Sequence, residues 1–154
     1  MSGEGRCQRY TLDVSEPLFR LATESVRLHS NETRRLHTLE SLIRDRVRFL
    51  ETFDHNPETV RMHLEAVASE GDIRIDLAVS SDTAESFEDA KEALKTLIGS
   101  DVSPADTLSI MLFDYMVEQK ANKVRAKLRF DKQSQQVDPS SLGPSGDDNV
   151  IRLK

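Results

Sequence analysis

Residues 108–117 are apolar almost all the way round a helix. Leu108, Ile110, Met111, Leu112, Phe113, Tyr115, Met116 and Val117 are interrupted only by Ser109 and Asp114. A helix that is greasy on every side has to be covered, either inside its own domain or by a partner subunit. In a 154-residue chain with 37% hydrophobic residues, no Trp and 31% charged residues, this segment decides where the core must form. Its start is well marked: Ser103-Pro104-Ala105-Asp106 supplies a cap, a proline for the first turn and an acid.

The rest of the chain also reads as mainly helical, with one short strand. A first helix opens at Ser15, with Glu16 and Pro17 in its first turn. A second runs from Asn31 or Thr33 to about Phe53, with Leu36, Leu39, Leu42, Ile43, Val47 and Leu50 at three- and four-residue steps. Asn56-Pro57-Glu58-Thr59 starts a third, which Gly71 ends. Ile73, Ile75, Leu77 and Val79 then alternate with Arg74, Asp76 and Ala78, the period of a half-buried strand. Asp82-Thr-Ala-Glu85 begins a fourth helix with Phe87, Ala90, Leu94, Leu97 and Ile98 on one face, and Gly99 closes it.

Residues 1–14 are expected as a flexible lead-in and 15–132 as one helical domain. That domain divides into a helical part (15–70), a strand–helix–helix unit (73–120) and a basic helical extension (120–132). Residues 133–154, rich in Gln, Ser, Pro, Gly and Asp, are expected as a disordered tail. No internal repeat stands out.

The order strand, helix, tight turn, apolar helix is that of a ribbon–helix–helix unit. In that architecture strands from two chains pair into a ribbon, the second helices share a core, and outward strand residues enter the major groove. The wording of the segment, Gly71-Asp-Ile-Arg-Ile-Asp-Leu-Ala-Val-Ser-Ser-Asp-Thr-Ala-Glu-Ser-Phe-Glu-Asp-Ala-Lys-Glu-Ala-Leu, resembles a region upstream of the nuclease domain in bacterial HNH endonuclease-like proteins. Phe87, Ala90 and Leu94 fill the apolar helix face of that region. Ser103-Pro104-Ala105-Asp106 and residues 108–117 look like its second helix. The resemblance covers residues 71–120, and the HNH motif itself does not follow. It implies a relative without the nuclease. A lone strand and an all-round apolar helix both call for a partner, so a homodimer is expected, with Ile75, Leu108, Met111, Leu112, Tyr115 and Met116 at its interface.

Charge is distributed unevenly. Residues 65–118 carry thirteen acids and three bases, whereas 120–132 carry six bases and one acid. A polyanion would be repelled by the acidic middle and must meet the basic strip or the Arg-rich second helix. The expected nucleic-acid contacts are therefore Arg34, Arg35, Arg44, Arg48, Arg74, Lys120, Lys123 and Lys127. Against this, Arg74 has acidic neighbours, Asp72 and Asp76, as ready ion-pair partners, and Asp76 faces the same side of the strand. The basic strip also reads as a solvated face that complements a helix C-terminus.

Catalytic signatures are missing. There is no glycine-rich phosphate loop, no nucleophile elbow and no metal-ligand spacing among His29, His37, His55 and His63, which read as surface histidines. No enzyme, metal or cofactor is expected. The sole cysteine, Cys7, excludes an internal disulfide and fits a reducing compartment. No run approaches the ~20 apolar residues of a membrane span, and the N-terminus lacks the apolar stretch of a signal peptide. A cytoplasmic location with no membrane partner is expected. Function at this stage stands between a dimeric DNA-associated regulator and a protein-interaction module or antagonist acting through the acidic helical surface.

Overall fold

Val14-Ser15 and Val79-Ser80 each end a strand and cap a helix, and this twofold recurrence organises the molecule. The computed structural model describes residues 6–50 and 56–135. The elements are β1 (Cys7–Val14), α1 (Glu16–Thr33), α2 (Leu39–Leu50), α3 (Pro57–Ala66), β2 (Ile73–Ser80), α4 (Ser81–Ile98) and α5 (Pro104–Gln135). Two compact units divide after Val117, within α5; the fold described next belongs to the first.

The first correction concerns the N-terminus. Residues 7–14, expected as part of a flexible lead-in, form β1, which pairs antiparallel with β2 from Cys7↔Ser80 to Val14↔Ile73. Tyr10, Leu12 and Val14 alternate with Arg9, Thr11 and Asp13, a period-two pattern that is legible once a partner strand is known. β2 thus finds its partner strand inside the chain. Leu108, Met111, Leu112 and Tyr115 are at most 1% exposed within one chain, and Ile75 and Met116 pack partly buried against the same core. Both reasons for expecting a second copy are therefore met internally.

Helix boundaries move for local reasons. The first helix extends to Thr33 and ends on Arg34 in the left-handed conformation, φ 59°. Arg34 and Arg35 consequently lie in a connection and not on the second helix, which starts at Leu39. Thr38 and Ser41 cap that start reciprocally, each side chain accepting the other's backbone N–H at 3.1 Å. α3 begins at Pro57 under an Asn56 cap, as its sequence indicates, but stops at Ala66 and not at Gly71. Gly71 instead donates its N–H to the Asp13 carbonyl, and a Cβ there would sit 2.4 Å from Ser15 Cα. Ser80, two residues before Asp82, caps α4. Residues 133–135, expected in the tail, continue α5, while 136–154 lie outside the described residues.

The caps fall in register. Ser15 Oγ accepts the Leu18 N–H, and Ser80 Oγ the Thr83 N–H. α1 and α4 both have 18 residues, and each ends on a left-handed residue, Arg34 or Gly99, whose N–H bonds to a carbonyl four residues back, at Ser30 or Lys95. Ser103 and Asp106 repeat the reciprocal box of Thr38 and Ser41. Every pair is 65 residues apart (15 to 80, 34 to 99, 38 to 103). The chain is therefore two strand–helix–helix copies, β1-α1-α2 and β2-α4-α5, joined through α3. The strand register obeys the same relation: Thr11 pairs with Asp76, its own counterpart, so a pseudo-twofold axis passes between them. The repeat eludes inspection because the caps and the burial pattern are kept while most side chains differ.

Matched positions build the core: Leu12 with Leu77, Val14 with Val79, Ile43 with Leu108, and Val47 with Leu112 are all buried. Elsewhere the copies diverge. Tyr10 stands edge-on to Phe87 at 5.3 Å and donates its hydroxyl to Glu88. Their counterparts, Ile75 and Ala22, are smaller and help to line an open groove of about 400 Å³ with Phe19, Val26 and Leu39. α3 covers the second copy, where Val60 joins Leu94, Ile98, Val102 and Ile110 in a separate cluster.

His63, expected at the surface, is buried on this helix. It lies 2.7 Å from Ser109 Oγ and stacks on Phe113 at 4.3 Å between centroids. Burial pushes its pKa below the ordinary value, with the Ser109 hydrogen bond acting in the opposite direction.

Two outcomes follow. Because both strands belong to one chain, the thermal unfolding midpoint should not change over a hundredfold range of protein concentration, whereas an obligate dimer's would rise. As acid is added, the unfolded chain protonates at position 63 before the folded one does. The His63 contribution is therefore whole above the unfolded value of about 6.5 and is lost as pH falls below it. Urea midpoints measured between pH 7.5 and pH 5 should fall, and His63→Gln should flatten the dependence.

Candidate nucleic-acid interface

Pairing of β1 with β2 turns one face of the ribbon into the core and leaves the other in solvent. Arg9, Thr11, Asp13, Arg74, Asp76 and Ala78 make up that outer face, and all six are exposed. The repeat relates the two arginines, since Arg74 follows Arg9 by 65 residues (9 to 74). Their surroundings differ. Arg9 lies opposite Ala78 and has no carboxylate partner among the described residues, whereas Arg74 lies opposite Asp13. Arg74 Nε is 3.0 Å from Asp13 Oδ1, so its hydrogen-bonded partner is Asp13, with Asp76 adding a weaker attraction. This cross-strand hydrogen bond holds the Asp13 carboxyl below the ordinary carboxylate range. On the pseudo-twofold axis Thr11 Oγ1 donates to Asp76 Oδ1 at 2.9 Å. The outer face therefore has two cations and two anions, and Arg9 has no carboxylate partner among the described residues to hold it back.

The other expected contacts are dispersed. Arg34 and Arg35 are exposed in the α1–α2 connection. Arg44 is exposed on α2 and leans on Asp45, 3.3 Å away. Arg48 lies on the same helix, but its side chain falls outside the described residues. Lys120, Lys123 and Lys127 belong to the second unit, where they share one face of α5, are exposed, and have no carboxylate partner among the described residues. Val124 and Leu128 form an exposed apolar stripe on another side of that helix, at 56% and 60% exposure.

Sequence reasoning missed two groups. Arg9, Thr11 and Asp13 were hidden because β1 was not read as a strand; the alternation of Tyr10, Leu12 and Val14 is the signal that could have found it. His29, His37 and Asp45 converge at the α1–α2 corner although eight residues separate each from the next. His29 Nε2 lies 2.9 Å from Asp45 Oδ2, and the two imidazole centroids are 4.0 Å apart. Spacings of eight match no recognised ligand pattern within one element, so only the fold reveals the group. No helix of the described residues is long and apolar enough to cross a membrane.

No protein-family model, curated protein or solved structure matches this chain.

Replacing Arg74 with Ala should return the Asp13 carboxyl upward to the ordinary range, read by carboxyl-carbon NMR during an acid titration. The native pair contributes above the unfolded pKa of Asp13 and loses its contribution as pH falls through the depressed folded value. Both groups are solvent-exposed, so the change in overall stability should be small.

Proposed function

We propose that this chain is a DNA-associated regulatory protein that meets the duplex with its two-stranded ribbon, as a ribbon–helix–helix unit assembled within one chain. The observation that carries this reading is the duplicated strand–helix–helix with antiparallel strands paired about a pseudo-twofold axis. A two-stranded ribbon fits the major groove, about 12 Å wide, where each base pair presents a distinct pattern of donors and acceptors. The outer face carries suitable readers: Arg for guanine, Asp for the cytosine amino group, and the Thr methyl for thymine.

Because the copies have diverged, the two half-sites should differ. Arg9 is available for a two-pronged contact, while Arg74 must first leave Asp13. A non-palindromic site suits such a ribbon. The outer face has no net charge, so phosphate attraction has to come from other cations, with Arg34, Arg35 and Arg44 on the first copy and Lys120, Lys123 and Lys127 in the second unit as the candidates. Phosphate contacts position the protein, and base contacts give it specificity. The binding role requires no catalysis.

Selection from a random duplex pool at low salt, followed by fluorescence anisotropy, tests the proposal. An asymmetric site should be enriched. Arg9→Ala should cost about 1–3 kcal/mol at one half-site and more than Arg74→Ala does. Lys123→Glu with Lys127→Glu should weaken all sequences alike and reduce the salt dependence. Absence of enrichment and of binding at low salt would overturn the reading and favour a protein partner for the exposed acids of α4, Glu85, Asp89 and Glu92.

A further inference from the structure

The α1–α2 corner differs from its duplicate in one respect that packing does not account for. We infer that His29, His37 and Asp45 form a binding site for one divalent transition-metal ion of the Zn²⁺ class. One ligand atom from each of the three lies within 4.8 Å of the others, on α1, on the connection and on α2 respectively.

The duplication supplies an independent observation. Sixty-five residues on, the same positions are Leu94, Val102 and Ile110 (29 to 94, 37 to 102, 45 to 110), and these three pack together under Val60. Where one copy puts three aliphatic side chains in contact, the other puts two imidazoles and a carboxylate. α3 seals the aliphatic corner, whereas the histidine corner is half-exposed, its three side chains all of intermediate burial. A single polar residue at a half-open position is ordinary. Three that converge, all of ligand type, are what an ion would need.

The surrounding atoms suit this role. Arg44 leans on Asp45 Oδ1, leaving Oδ2 directed at His29. The 2.9 Å between His29 Nε2 and Asp45 Oδ2 is a hydrogen bond in the free protein and also close to the edge of a metal's ligand shell. His37 has hydroxyls at both ring nitrogens, Ser41 Oγ at 2.8 Å from Nδ1 and Thr33 Oγ1 at 2.9 Å from Nε2. Whichever nitrogen turns to the ion, the other can donate its N–H to the remaining hydroxyl, the outer support that metal-bound histidines generally have. Two imidazole nitrogens and one carboxylate oxygen favour Zn²⁺, Cu²⁺ or Ni²⁺ over Ca²⁺ or Mg²⁺, which take oxygen-rich shells. Solvent completes the coordination.

The test uses the full chain stripped with chelator, titrated with Zn²⁺ by calorimetry and with Co²⁺ by visible absorption. One equivalent should bind, and Co²⁺ should develop the absorption of a four- or five-coordinate ion. His37→Ala and Asp45→Asn should each weaken binding at least about tenfold. The triple variant His29→Leu, His37→Val, Asp45→Ile copies the other half of the molecule. It should keep the helical circular dichroism and lose the one-equivalent site. Failure of the wild-type chain to bind one equivalent overturns the proposal. So does binding that survives unchanged in the variants, which would assign the ion to Cys7, His55 or His63. Should the triple variant fail to fold, the two single changes decide the question, since both residues are only partly buried.

Discussion

Antiparallel pairing of β1 with β2 is the constraint on which the rest of this protein depends. A two-stranded ribbon is marginal in water by itself. It persists here because one face is buried: Leu12, Val14 and Leu77 share one core cluster with Phe87, Ala90, Leu108 and Leu112, and Val79 on the same face is buried too. The ribbon in turn fixes the helices, because a serine at or just after the end of each strand caps the helix following it. A one-residue slip would reverse every inward side chain and expose the core face. The pairing of Thr11 with Asp76 on the pseudo-twofold axis is therefore the point from which the positions of both copies follow.

Two copies in one chain remove the obligation to be identical. Symmetric positions on separate chains must share a residue, whereas here each half can change independently. The divergence is concentrated away from the shared core. Tyr10 and Phe87 fill a space that Ile75 and Ala22 leave as a groove. α3 closes over Leu94, Val102 and Ile110, and their counterparts His29, His37 and Asp45 stay half-exposed. Arg9 and Arg74, equivalent in the fold, differ in whether an aspartate lies across the ribbon. Asymmetry on a symmetric frame is the common theme of the proposed DNA contact and the proposed metal site. The first rests on the outer ribbon face and the second on the α1–α2 corner, so either could stand without the other.

The charge pattern gains meaning from this frame. The acidic residues 65–118 coincide largely with the second copy, and the balanced first 64 residues with the first. Within residues 6–117, the approach of a polyanion is thus biased toward the first copy, where Arg34, Arg35 and Arg44 are exposed. The same bias would orient an unsymmetrical ribbon on an unsymmetrical site.

Local chemistry determined much of the outcome. Ser15, Asn56, Gly99 and Ser103 act within one turn of their own positions, so their caps follow from short stretches of sequence. The alternation at residues 73–79 and the all-round apolar segment 108–117 likewise announce a strand and a buried helix. What the sequence could not convey was pairing over a distance. β1 is eight residues of modest hydrophobicity whose partner lies some 65 residues away, and the short alternation of Tyr10, Leu12 and Val14 is its only local mark. The duplication shares caps and burial but few side chains, so it emerges only when the two halves are placed on the same axis. The meeting of His29, His37 and Asp45 was decided by the turn at Arg34 and by α2 folding back on α1. Tertiary structure determined those contacts because proximity there comes from packing, and packing depends on all the elements together.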